Sequence, residues 1–122
     1  MTNLGAVMVA LIALLHLYFM VLEMFFWDKP LGLRTFGIKP EFAKASRTLA
    51  ANQGLYNGFI AAGLIWGISL GNDGNPIKIF FLICVIVAGV FGALTASRKI
   101  FFIQALPAII ALILTLPAVT LK

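Results

Sequence analysis

The chain has 122 residues, of which 62% are hydrophobic and only 11% charged, with a formal net charge of +5. A soluble domain of this length exposes too much of its surface to hide so many apolar side chains, and soluble domains carry roughly 25% charged residues, so the composition excludes a soluble globule and makes the bilayer the solvent. The positive balance then reads as membrane orientation and contact with anionic lipid headgroups, not as a nucleic-acid surface.

About 20 apolar residues cross about 30 Å of hydrocarbon, and four stretches are that long, near residues 4–27, 46–70, 77–96 and 100–119. Backbone groups in lipid must be satisfied within their own segment, so each stretch is expected to be a helix. The predicted fold class is all-α, an integral membrane four-helix bundle forming a single domain over residues 1–122.

The first stretch has no basic region before it and exceeds the apolar core of a signal peptide, so it reads as a retained helix. It carries His16, the single histidine, and Glu23, the only carboxylate within the four spans. On a helical wheel His16, Met20, Glu23 and Trp27 fall within about 40° of one another. Ionisable groups are costly inside a span and mark functional candidates by default. Met20 and Trp27 read as packing and as an interfacial anchor, the latter together with Phe25 and Phe26. Pro30 blocks continuation of the helix. The following LGLRTFGIK mixes apolar with basic residues and is expected to lie on the membrane surface. Pro40 and Glu41 suit a helix start, which places the beginning of the second helix outside the lipid.

The second helix holds the string SRTLAANQGLYNG, residues 46–58. Taking Asn52 as 0°, Tyr56 stands at about 40°, Gln53 at about 100° and Asn57 at about 140°. These four share one face. Ala51, Gly54, Gly58 and Ala62 form the other, a small-residue pattern that lets helix backbones approach closely. The second helix is thus predicted to pack through Gly54, Gly58 and Ala62 and to present amides and a phenol on its opposite side.

GNDGNP, residues 71–76, is a turn. The third helix is smoothly apolar, with small residues at Ala88, Gly89, Gly92, Ala93 and Ala96, and with Cys84, the one cysteine, reading as a small buried hydrophobe. In the fourth helix Pro107 and Pro117 free the carbonyls of Ile103 and Ile113, and Gln104 is the polar residue nearest the basic end. ASRTLAANQGLYN (45–57) and ASRKIFFIQALPA (96–108) coincide at Ala, Ser, Arg, Gln and Leu, so the bundle is readable as two duplicated helical hairpins of parallel orientation, with chance coincidence as the alternative.

Lys29, Arg34, Lys39, Lys44 and Arg47 in the first loop region join Arg98 and Lys99 in the third, against Lys78 and Lys122 on the other side. This asymmetry predicts loops 28–45 and 97–99 in the cytoplasm and both termini outside it.

Glu23, Asn52, Gln53 and Gln104 are then expected in one layer of the cytoplasmic half, with His16 about 10 Å deeper and Asn57 pointing toward it. The candidate ligand-binding set is His16, Glu23, Asn52, Gln53, Tyr56, Asn57 and Gln104. The competing reading is interhelical hydrogen bonding, at about 0.6 to 2 kcal/mol for each amide. No metal site is expected, since zinc needs three or four ligands and one helix offers only His16 with Met20. No cofactor or catalytic residue is assigned.

The H-x-x-F-x-x-x-E stretch from His16 to Glu23, Trp27, the N-Q-G-x-Y-N of Asn52 to Asn57 and the Q-x-x-P of Gln104 to Pro107 resemble the small bacterial membrane proteins grouped as domain of unknown function 1304. That resemblance covers nearly the whole chain and implies a multi-pass protein of the bacterial inner membrane, without supplying an activity. Four functional readings stand beside it. The first is a binding protein that holds a small amphiphile, a lipid or a quinone, in a cytoplasm-facing intramembrane pocket. The second is a proton-coupled transporter, since length, helix count and a first-helix glutamate resemble the small multidrug-resistance type; the one-sided charge pattern and the position of Glu23 near a helix end depart from it. The third is an enzyme, because R-x-x-x-x-N-Q from Arg47 to Gln53 is similar to the membrane-associated glutathione and eicosanoid enzymes, although the glutamate expected there is missing. The fourth is a structural protein whose Gly54/Gly58 face serves a partner helix. Membrane lipids are expected partners, and a homo-oligomer is open.

Overall fold

A computed structural model describes residues 3–120, and among them the regular elements are all helical. The chain ends, including Lys122, lie outside the described residues. In chain order the helices are α1 (Asn3–Phe25), α2 (Pro30–Phe36), α3 (Pro40–Ser69), α4 (Asn75–Thr95), α5 (Arg98–Ile100) and α6 (Leu106–Thr120), with a 3₁₀ turn at Gly71–Gly74 and a π-helical stretch at Phe101–Ala105. Three stretches, Leu4–Phe25, Gly71–Thr95 and Arg98–Leu116, are long and apolar enough to cross a membrane. With 30 residues α3 is also long enough, but Asn52, Gln53 and Asn57 in its middle make it less apolar than α1, α4 or α6.

The chain divides into two compact units, residues 14–61 and residues 1–13 with 62–122. In the first unit α1 stops at Phe25 and a turn follows, in which the Lys29 amide donates to the Phe26 carbonyl at 3.0 Å. Trp27 therefore sits in this turn, beyond the end of the helix. Pro30 does block continuation of α1, yet it also starts α2, because a first-turn residue needs no N–H donor. The segment LGLRTFGIK is thus mostly a short helix, stopped by Gly37 at φ +63°, a left-handed conformation that a side chain disfavours. Pro40 opens α3, with Glu41 in its first turn.

In the second unit α4 packs on the π-helical stretch and on α6. Gly89 is buried where a side chain would meet Ala105, and Gly92 backs on Ile100. The π-helical stretch ends immediately before the start of α6, whose second residue is Pro107. A proline removes an N–H and crowds the preceding turn, and widening that turn to i→i+5 pairing is one way to absorb it. The Leu106 amide accordingly bonds the Phe101 carbonyl. At the GNDGNP turn Lys78 is buried and its ammonium donates to the Gly71 carbonyl at 2.9 Å. Lys78, read from the sequence as a topology charge, closes this turn. Asn75 is buried beside it in sequence, with neither amide atom hydrogen-bonded.

Candidate functional site: the groove between α1 and α3

Within residues 14–61, α1 and α3 run side by side in opposite directions, held by one side-chain contact between the two helices and two more between α3 and the turn that follows α1. At the end nearest the turn, the Arg47 guanidinium faces the Asp28 carboxylate at 3.4 Å. Next, the Trp27 indole N–H donates to the Ser46 hydroxyl at 3.0 Å, which itself donates to the Phe42 carbonyl at 2.7 Å. The other face of Trp27 meets Phe36 of α2, ring centres 5.0 Å apart. Deeper, the Asn57 amide donates to the Glu23 carboxylate at 2.5 Å.

Glycine is what brings the helices this close. A Cβ on Gly54 would stand 2.8 Å from Met24 Cγ and 3.1 Å from the Met20 carbonyl, and one on Gly58 would stand 2.7 Å from Met20 Sδ. The absent side chains leave room for Met20 and Met24, flexible residues suited to filling irregular gaps.

Of the residues singled out in the sequence, the structure therefore brings Glu23 and Asn57 together. Asn57 turns toward α1 on the same side as buried Gly54, while Asn52, Gln53 and Tyr56 are exposed on the side of α3 facing away. Asn57 and Gly54 are only about 60° apart on the wheel, so one rotation of α3 buries both and leaves Asn52 outside. Asn57 thus parts from the polar face to which the sequence assigned it. His16 is buried, its ring edge-on to Phe19 at 5.9 Å between centres. Ala62 is exposed. Gln104 lies half-buried in the π-helical stretch of the other unit. Among the described residues, no three His, Cys, Asp or Glu side chains come together as a metal would need.

Sequence reasoning missed an open cleft near the α1–α3 turn. It has a volume of about 370 Å³ and is lined by Met24, Phe25, Trp27, Asp28, Lys29, Arg47, Thr48 and Ala51. Met24, Phe25 and Ala51 make it apolar on one side; Asp28, Lys29, Arg47 and Thr48 make it polar on the other. The signal was present in the sequence, since Asp28 and Lys29 follow the aromatic anchor and Arg47 opens the polar string. Reading Lys29 and Arg47 as topology charges concealed that the turn brings them and Asp28 to one cleft.

Comparison with known proteins agrees with the sequence resemblance. No solved structure matches the chain. The "Uncharacterized protein YpaA" of Lactococcus lactis subsp. lactis (strain IL1403) is 38% identical over 115 residues, 93% of this chain and 97% of the relative. The family described as "Protein of unknown function (DUF1304)" matches residues 10–116, a range that takes in the whole α1–α3 groove, and the chain belongs to that family.

Proposed function

We propose that this is a multi-pass membrane protein that binds a small anionic amphiphile in the cleft beside the α1–α3 turn. In this reading loops 28–45 and 97–99 face the cytoplasm, α3 is a further membrane crossing, and the cleft opens at the headgroup level of the inner leaflet. The observation that carries it is the mixed lining of the cleft, apolar at Met24, Phe25 and Ala51 and charged at Asp28, Lys29 and Arg47, with the two cations outnumbering the one carboxylate. Ligand sites are mostly apolar clefts of roughly 300–1,000 Å³ with a few convergent polar groups, and this one falls within that range. An acyl or prenyl tail suits the apolar lining. An anionic head suits Arg47, whose planar guanidinium presents paired donors to a carboxylate or phosphate, with the Thr48 hydroxyl next to it. Trp27, held by Ser46, forms a rigid wall.

The experiment is native mass spectrometry of the protein purified in mild detergent, comparing wild type with Arg47→Gln and Ala51→Phe. The expected result is a defined amphiphile on wild type, weakened by Arg47→Gln and lost in Ala51→Phe, with both variants folded. An amphiphile that persists in Ala51→Phe, or none on wild type, sinks the reading.

A second reading is favoured by one specific contact. The Glu23–Asn57 bond joins two helices of one chain and neither residue lines the cleft, as expected of interhelical hydrogen bonding. Glu23 and Asn57 then hold α1 on α3, and the cleft alone holds ligand. A transporter or an acid–base enzyme would instead require Glu23 to exchange Asn57 for a substrate or a proton.

A further inference from the structure

The outward side of α3 poses a problem that the cleft does not solve. Asn52 and Gln53 are exposed, and neither amide has a hydrogen-bond partner among the described residues. Ser46 marks the level of the Trp27 anchor. At 1.5 Å per residue, Asn52 stands about 9 Å and Gln53 about 10 Å further along α3. Their neighbour Gly54 abuts Met20 and Met24 of the apolar stretch Leu4–Phe25, which is long enough to cross the membrane. With α1 in the bilayer, both amides stand in hydrocarbon, beyond reach of water for side chains this short. Lipid tails offer neither donor nor acceptor, so the groups require a protein partner.

We infer that the Asn52/Gln53 face of α3 docks against the same face of a second copy of this chain. Copies inserted with one topology are related by an axis along the membrane normal, so each residue meets its counterpart at the same depth. Asn and Gln each carry a donor and an acceptor, which makes a face bearing both complementary to itself. Apolar side chains flank the amides: Leu49 is 72% and Phe59 55% exposed, with the Tyr56 ring 6.1 Å from Phe59. A polar centre within an apolar surround keeps lipid out of the contact. Of the cleft residues on α3, Arg47 and Ala51 lie on another side, about 140° and 100° around the helix from Asn52, while Thr48 stands one turn before Asn52 at the edge of the contact, so the assembly leaves Arg47 and Ala51 free and does not depend on the amphiphile.

The test uses the full chain in phosphatidylethanolamine/phosphatidylglycerol vesicles, with self-association read by single-molecule photobleaching across protein-to-lipid ratios. Wild type is expected to associate, and Asn52→Leu/Gln53→Leu to associate at least tenfold more weakly, since leucine is as much at home in lipid as in a helix contact. A second measurement guards against a folding defect in that variant. In a Cys84→Ser background, Asn52→Cys is expected to cross-link between copies, and Val87→Cys, exposed on α4, is not. A monomeric wild type at every ratio, a double variant that associates as tightly as wild type, or equal cross-linking at positions 52 and 87 would each overturn the inference. So would wild type carrying a different protein or a lipid on this face in place of a second copy.

Discussion

The Asn57 amide and the Glu23 carboxylate meet at 2.5 Å, 34 residues apart in sequence. That bond fixes the rotation of α3 on α1, and with it the side on which every other polar residue of α3 lies. Asn57→Leu leaves a carboxylate facing an apolar helix and should cost roughly 1–3 kcal/mol, the range for hydrogen bonds to charged groups. Glu23→Gln keeps an oxygen that accepts from Asn57 and should cost less. The double variant Glu23→Leu/Asn57→Leu should recover much of the loss, since both ends of the bond go together. Thermal unfolding in detergent checks this. A double variant no more stable than Asn57→Leu alone would show that the pair is not a simple interhelical bond.

The two glycines of the groove should respond differently to alanine. A Cβ on Gly54 presses on the Met20 carbonyl and Glu23 Cβ as well as on Met24, whereas a Cβ on Gly58 presses only on the Met20 side chain. Backbone cannot yield as a methionine can. Gly54→Ala should therefore cost about 1–3 kcal/mol, the usual penalty of overpacking, and Gly58→Ala under about 1 kcal/mol. Equal losses in a melting comparison would contradict this account of the close approach.

Trp27 and Ser46 share one hydrogen bond, so Trp27→Phe and Ser46→Ala should each lose about 1 kcal/mol and the pair should lose less than the sum. A double-mutant cycle measures the coupling. Strict additivity would mean that Trp27 is held by Phe36 and the interface rather than by Ser46.

Gly37 stops α2 at φ +63°, where no side chain would meet a neighbour. The cost of substitution there is purely conformational. Gly37→Ala should destabilise by roughly 1 kcal/mol and Gly37→Asn by less, because asparagine tolerates the left-handed region. An alanine variant as stable as wild type would show that α2 does not end in this way in the folded protein.

Arg47 separates binding from stability. Its contact with Asp28 is at 3.4 Å and the arginine side chain is 66% exposed, so the ion pair should add less than about 1 kcal/mol to the fold. Arg47→Gln is expected to melt close to wild type while carrying less amphiphile. Loss of both together would reassign Arg47 from ligand to scaffold.

Composition and the long apolar stretches pointed to a helical chain, and the described residues are all-helical with three stretches long and apolar enough to cross a membrane. Local signals determined the breaks. Pro40 with Glu41 opens α3, and GNDGNP holds the 3₁₀ turn and the start of α4. The family was readable too, from the polar residues between His16 and Pro107. The sequence could not determine which way α3 faces. A helical wheel gives the angles between Asn52, Gln53, Gly54 and Asn57 but no reference direction. In water the apolar side would supply that reference. In lipid it does not, since a neighbouring helix and an acyl chain are equally apolar. The direction was decided by contacts between residues distant in the chain: Gly54 against Met24, Asn57 on Glu23, Ser46 under Trp27. The same contacts folded Lys29 and Arg47 onto one cleft and left Asn52 and Gln53 pointing outward, a division that only the tertiary structure could make.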